Sequence, residues 1–306
     1  MEHANLFDEV LSLPNPRAQE QFEALVGLDN AKEMLLKEGR LLLNPELLEK
    51  WSKKFYKSQL PCVEYFQKRP PLLLFSGDVG TGKTTLANTF GDSIARSEKI
   101  DITVLRLSLI TRGRGAVGEM THLITQAFEE VENLAKGGGE KGKKSKTAVI
   151  FIIDEADSLA ESRSTEQMHH EDKAGVNALI RGIDRFTQEP VPVLIVLCTN
   201  RQDVMDPAVL RRAAGHHKFE RPTAEQILYI LKNQIGKKVF TDSEYNELVN
   251  IMLPNQEREY GYTFSDIVQR FLPTLLLEAF PDKAITYDLA MEVAKNIQPV
   301  KPFNYE

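Results

Sequence analysis

Three short stretches hold residues whose types and spacing could do chemistry together. Gly77-Asp78-Val79-Gly80-Thr81-Gly82-Lys83-Thr84-Thr85 matches G-x-x-x-x-G-K-[ST] at every fixed position, between the apolar run LLLF and a helical pattern. Glycines there let the backbone curl so that successive N–H groups face one anion, and the following helix turns its positive end to the same point. Lys83 supplies a point charge for β- and γ-phosphates, and Thr84 a hydroxyl for Mg²⁺. A second stretch, AVIFIIDEADSL, carries Asp154 and Glu155 out on the end of an apolar run. Asp154 is the candidate holder of the metal, and Glu155 the candidate base that orients and deprotonates water. The third, VLIVLCTN, delivers Asn200, an amide able to reach a γ-phosphate or the attacking water. Turn chemistry alone also accounts for an Asn at a strand end.

These groups need a sheet to hold them. The runs PPLLLFSG, DITVLRLSL, TAVIFIIDEA and VPVLIVLCTN are short, rich in Val, Ile and Leu, and do not alternate. That pattern predicts strands buried on both faces, as in a parallel sheet. Helical segments such as TTLANTFGDSIARS and MTHLITQAFEEVENLA separate them, which predicts a layered α/β domain. Residues 1–25 form a mixed extension in which Pro14 and Pro16 break any early helix. The large domain spans 26–221. After HHKFERP the strand signal stops, and 222–306 read as a small all-helical domain. Two of its helices open on capping boxes, Thr223 to Gln226 and Thr241 to Glu244. Pro273 kinks or splits a third, and a fourth begins near Thr286.

Composition narrows the class. The 306 residues carry a formal net charge of -6, which supplies no general basic character for nucleic acid. Two cysteines, Cys62 and Cys198, make neither a disulfide framework nor a metal site. The longest apolar runs are 6 residues, against about 20 for a membrane span. The first residues, MEHANLFDEV, lack the regions of a signal peptide, so the expected compartment is the cytoplasm.

GDVGTGKTT, FIIDEADSL, CTN and DPAVLRR together resemble the AAA+ ATPases, from FEALVGLDNAKEML to the last helical segment. The resemblance implies a parallel five-stranded P-loop sheet flanked by helices, a helical lid, ATP and Mg²⁺ as cofactors, and a homo-hexameric ring. Asn200 takes the sensor 1 position. Val26 and Gly27 fall in the box whose backbone lies beside the adenine. Arg211 or Arg212 is the finger that reaches a neighbouring subunit's site, where it neutralises charge on the transferred phosphoryl; Ala214 stands where a second finger often falls. The sensor 2 pattern is irregular, with Asp266 and Ile267 replacing its last two residues, and Arg270 one helical turn on could face the nucleotide.

Within that family the chain is similar to the HORMA-domain remodellers, on VIFIIDEADSLAESR, DKAGVNALIRGIDRF, RRAAGHHKFERPTAEQILYIL and FLPTLLLEA. These include the eukaryotic ATPase acting on checkpoint and meiotic HORMA proteins, and bacterial relatives in CBASS antiphage systems. The resemblance implies an ATPase that partly unfolds a HORMA client, which in bacteria can be bound to a nucleotidyltransferase. It places the first pore loop at TRGRGAVGEM, where Ala116, Val117 and Gly118 stand without the usual aromatic, between the cationic Arg112 and Arg114 and the helix that follows. His169 and His170 fall in the second pore loop; as sequence neighbours they do not suit chelation of one metal. Two other classes compete: a motor on DNA, of clamp- or helicase-loader type, and a nucleotide-switched scaffold. The acidic charge argues against the first and the intact Glu155 and Asn200 against the second.

Overall fold

A computed structural model describes residues 6–44, 46–108, 119–137, 147–160, 170–188, 191–256 and 258–302. The chain divides into two compact units. One comprises the residues up to Ala24, Leu28–Ser76 and Thr84–Lys218; the other comprises Leu25–Gly27, Gly77–Lys83 and the chain from Phe219 onward.

The first unit is built on a six-stranded sheet: β1 (Glu9–Leu13), β2 (Leu72–Gly77), β3 (Asp101–Ser108), β4 (Thr147–Asp154), β5 (Val193–Thr199) and β6 (Gly215–Phe219), in the order β1-β3-β4-β5-β2-β6. The pairs β3–β4, β4–β5 and β2–β5 are parallel. Ile150 to Ile153 and Val193 to Cys198 are wholly buried, as strands covered on both faces must be. Alternate residues serve the two layers. Phe151 meets Phe128 of α6 (Glu119–Gly137), in a cluster that also takes in Leu179 and Ile183 of α8 (His170–Gln188). Phe75 instead meets Phe90 of α5 (Lys83–Glu98), and Leu194 reaches the region where α2 (Asp29–Leu43) crosses at Gly39.

The expected five parallel strands are therefore corrected to six, with the added one antiparallel. β1 pairs with β3 in the register Glu9↔Arg106 to Leu13↔Ile102. Its five residues, EVLSL, are too short to announce themselves, but they close a sheet edge whose N–H and C=O groups would otherwise be open. The reading of residues 1–25 as helix-broken is also corrected. Pro16 opens α1 (Pro16–Ala24) rather than ending it, since a first-turn proline has no N–H to waste. Asn15 Oδ1 accepts from the Arg17 N–H beside it, at 2.9 Å.

The second unit contains α10 (Ala224–Gln234), α11 (Asp242–Met252), a π-helical turn at Asp266–Phe271 that runs into α12 (Leu272–Ala279), and α13 (Tyr287–Asn296). Ile227, Leu231, Tyr245, Leu248, Met252, Ile267 and Phe271 form its core. Both capping boxes are present, and Thr286 caps α13. Pro273 sits in the first turn of α12. Its ring denies the residue four positions earlier its usual partner, and the wider π turn absorbs that mismatch.

Candidate nucleotide site

In the second unit, the phosphate loop is held by side chains far away in sequence. Gly77, Gly80 and Gly82 have φ of +145°, +74° and +96°, a region that suits glycine. Two of them are also pinned by space: a Cβ on Gly77 would lie 2.0 Å from the Phe219 carbonyl oxygen, and one on Gly80 2.8 Å from Ser265 Cβ. The Ser265 N–H donates to the Gly80 carbonyl at 3.1 Å. Lys83 is buried, and its Nζ donates to the carbonyls of Gly77 (2.9 Å) and Asp78 (2.7 Å). The Thr81 hydroxyl donates to the Asp78 carbonyl at 2.7 Å. Arg221 donates through Nε to Asp78 Oδ2 at 2.8 Å, and through its remaining nitrogens to the carbonyls of Gly261 and Val300. Arg221 was not legible as a site residue, because its partner Asp78 lies 143 positions away.

Val26 and Gly27 also belong to this unit. The Gly27 carbonyl accepts from Gln226 Nε2 at 2.9 Å, while Gln226 Oε1 closes the capping box on the Thr223 N–H at 3.0 Å. One side chain thus starts a helix and fixes the box. Arg270 is exposed, and it donates to Asp266 Oδ1 at 2.7 Å and to the Gln298 carbonyl at 2.8 Å. Asp266 is fully buried and accepts as well from Thr263 and from the Val300 N–H. The structure thus gives Arg270 partners inside the small unit.

In the first unit, the ends of β4 and β5 bring the polar groups together. The Thr84 hydroxyl donates to Asp154 Oδ2 at 3.1 Å, so two hard oxygens stand side by side. That donor set fits Mg²⁺. Glu155 has φ +55°, a left-handed conformation that is uncommon for a residue with a side chain. Its N–H donates to Asp154 Oδ1 at 3.0 Å. Strain of this kind persists only where surrounding contacts impose it. Asp157, in the same DEAD run, accepts from the Thr199 hydroxyl at 3.0 Å and from the Asn200 N–H at 3.3 Å. It ties the end of β5 to the end of β4. In the sequence the one signal for Asp157 is its acidic type three residues past Asp154.

Behind these, Ser76 is buried at the end of β2, with its hydroxyl 2.7 Å from His216 Nε2 and 3.2 Å from Gln202 Oε1. Burial, aided by His217 and Lys218, lowers the His216 pKa, which favours a neutral ring there.

The two candidate arginines part company. Arg212 makes a bidentate pair with Asp184, at 2.7 and 2.8 Å, and donates to the Ala208 carbonyl at 2.8 Å. Hydrogen bonding to Asp184 raises its pKa further. Arg211 is exposed. Arg112, Arg114, Ala116, Val117, Gly118 and His169 lie outside the described residues, while His170 opens α8. A cleft of about 430 Å³ lined by Leu43, Phe66, Pro71, Phe186 and Pro192 opens at the other ends of the strands, away from Asp154 and Asn200.

The profile of the ATPase family associated with various cellular activities (AAA) matches residues 73–221. CD-NTase-associated protein 6 of Escherichia coli strain MS 115-1 is 44% identical over 298 residues, which is 97% of this chain and 96% of that protein. A chain from the E. coli MS115-1 HORMA:CdnC:Trip13 complex has a TM-score of 0.90 at 43% identity, with 97% of each chain covered. Rhizobiales Trip13 has a TM-score of 0.74 at 38% identity, over 97% of this chain and 100% of that one. With its phosphate loop, its Thr84–Asp154 pair and these relatives, the chain belongs to the AAA ATPases, in the group that contains CD-NTase-associated protein 6.

Proposed function

We propose that this protein is a Mg-ATP-driven remodeller of a HORMA-domain protein, acting as a homo-hexamer in the cytoplasm and regulating an antiphage system that includes a nucleotidyltransferase. The observation that carries the reading is the Thr84–Asp154 pair beside a left-handed Glu155, in a chain so similar to one from a HORMA:CdnC:Trip13 complex.

The loop N–H groups from Gly77 to Thr85, together with Lys83, bind and orient the phosphates. Lys83, whose Nζ now meets the carbonyls of Gly77 and Asp78, carries three N–H donors to share between the loop and the phosphates. Thr84 and Asp154 would hold Mg²⁺, which when bound would neutralise phosphate charge. Glu155 accepts a proton from the attacking water and Asn200 fixes that water's position. Arg211 of a neighbouring copy acts as the finger, since Arg212 is committed to Asp184. Residues 222–306 serve as the lid. The loops holding Arg112, Arg114, Ala116, Val117 and Gly118, and His169 and His170, line a central pore and grip the client. Four exposed apolar residues of the small unit, Val268, Leu276, Leu277 and Phe280, support self-assembly.

Glu155→Gln tests the reading. The variant is expected to bind a fluorescent ATP analogue as the parent does, to lose steady-state hydrolysis by at least about a hundredfold, and to fail to release a HORMA protein from its complex. Hydrolysis at the parental rate would remove Glu155 from its role. Intact hydrolysis in the parent, with no effect of any HORMA protein on rate or complex, would remove the client.

A further inference from the structure

β1 brings one acidic side chain to the metal site's flank. Glu9 Oε2 accepts from Arg106 Nε at 3.0 Å and from Asn88 Nδ2 at 3.2 Å. Arg106 lies on β3, between β1 and β4 in the sheet. Its Nη1 is 3.9 Å from Asp154 Oδ2, the same oxygen that accepts from Thr84. Asn88 lies one helical turn past Thr84 on α5. The chain Glu9–Arg106–Asp154–Thr84 thus runs across three strands and back onto the phosphate-loop helix.

The distances divide the roles. At 3.0 Å the Glu9–Arg106 contact is a charge-assisted hydrogen bond; at 3.9 Å the Arg106–Asp154 contact is not a hydrogen bond. A guanidinium at that range steadies a carboxylate and still leaves its oxygen open to a cation. A closer approach would occupy the oxygen and set one positive charge against another.

We propose that Glu9 of the N-terminal strand is a positioning residue that holds the Arg106 guanidinium off the metal-binding carboxylate of Asp154. Without Glu9 the guanidinium moves onto Asp154 and competes with Mg²⁺. Metal affinity at the nucleotide site thereby depends on whether β1 is docked at the sheet edge. This rests on the assignment of Thr84 and Asp154 as the Mg²⁺ ligands.

The test measures the Mg²⁺ concentration that half-maximally tightens binding of a fluorescent ADP to the full chain, with EDTA as baseline. Glu9→Ala is expected to raise that concentration about tenfold, the effect of one charge-assisted bond to the carboxylate. Arg106→Gln is expected to leave it at or below the parental value. Glu9→Ala combined with Arg106→Gln is expected to return to the Arg106→Gln value. If the double variant keeps the defect of Glu9→Ala, or if Glu9→Ala has none, the proposal is overturned; the first result would mean that Glu9 serves only to dock β1. Mg²⁺-independent ADP binding by the parent would instead overturn the assignment of Thr84 and Asp154.

Discussion

Asp157 and the pair Arg211–Arg212 show how a residue's contacts decide its role. Asp157 holds Asn200 through its backbone N–H and through the Thr199 hydroxyl. Removing that carboxylate frees the end of β5, so Asp157→Ala should lower kcat about ten- to a hundredfold while nucleotide affinity stays near parental. Asp157→Asn retains an acceptor oxygen and should recover most of the rate. Steady-state kinetics on both variants, with ADP titrations alongside, check this. The arginines separate in the same way. Arg212 is spent on Asp184 and Ala208, so Arg212→Ala should cost about 1 kcal/mol of stability, read by denaturant unfolding. Arg211→Ala should leave stability unchanged and abolish hydrolysis in a uniform assembly. Mixing Arg211→Ala with Glu155→Gln copies should restore part of the rate, since intact Glu155 and intact Arg211 then meet at shared sites. The motif residues were legible because a phosphate loop needs its glycines, Lys83 and Thr84 in one local order. Asp157, Arg221 and the choice between Arg211 and Arg212 were not, because their partners come from other parts of the chain.

At the scale of elements, helix starts were readable because capping is local. Thr223 and Thr241 each find the residue three positions on, and Thr286 finds the Leu289 N–H. Gln226 adds a contact that no local rule contains, to the Gly27 carbonyl 199 positions away. Thr223→Ala should therefore cost about 1 kcal/mol by loss of the cap alone. Gln226→Ala should cost more and also weaken ADP binding, because the box at Val26 and Gly27 loses its anchor; thermal unfolding and ADP titration check the pair. Pro273 predicts a kink or break, and the structure has a π turn followed by a new α-helix there. β1 was missed. Five residues with one buried side chain carry too little periodicity, and the hydrogen-bonding edge that makes them a strand belongs to β3.

At the scale of the molecule, the small unit exposes the apolar side chains Val268, Leu276, Leu277 and Phe280. Surfaces of this kind are normally covered by association. On the proposed assembly, Leu276→Asp combined with Phe280→Ser should leave a folded chain that binds ADP but sediments as a monomer in ATP, with hydrolysis lost through the proposed role of Arg211 at a neighbour's site. A hexamer that survives those changes would place the interface elsewhere. The sequence by itself determined which groups are candidates and where they lie: the order of glycines, Lys83, Thr84, Asp154, Glu155 and Asn200, and the alternation of buried runs with helices, are local patterns of the kind that phosphate binding and burial on both faces require. Only the tertiary structure decided which of those groups are held and by what. It paired Arg212 with Asp184 and Arg270 with Asp266, assigned Asp157 to Asn200 and Arg221 to Asp78, and laid β1 beside β3 so that Glu9 meets Arg106. The physical reason is range. Hydrogen bonds and ion pairs act over about 3 Å in space, and nothing in a sequence records which distant residues folding will bring that close.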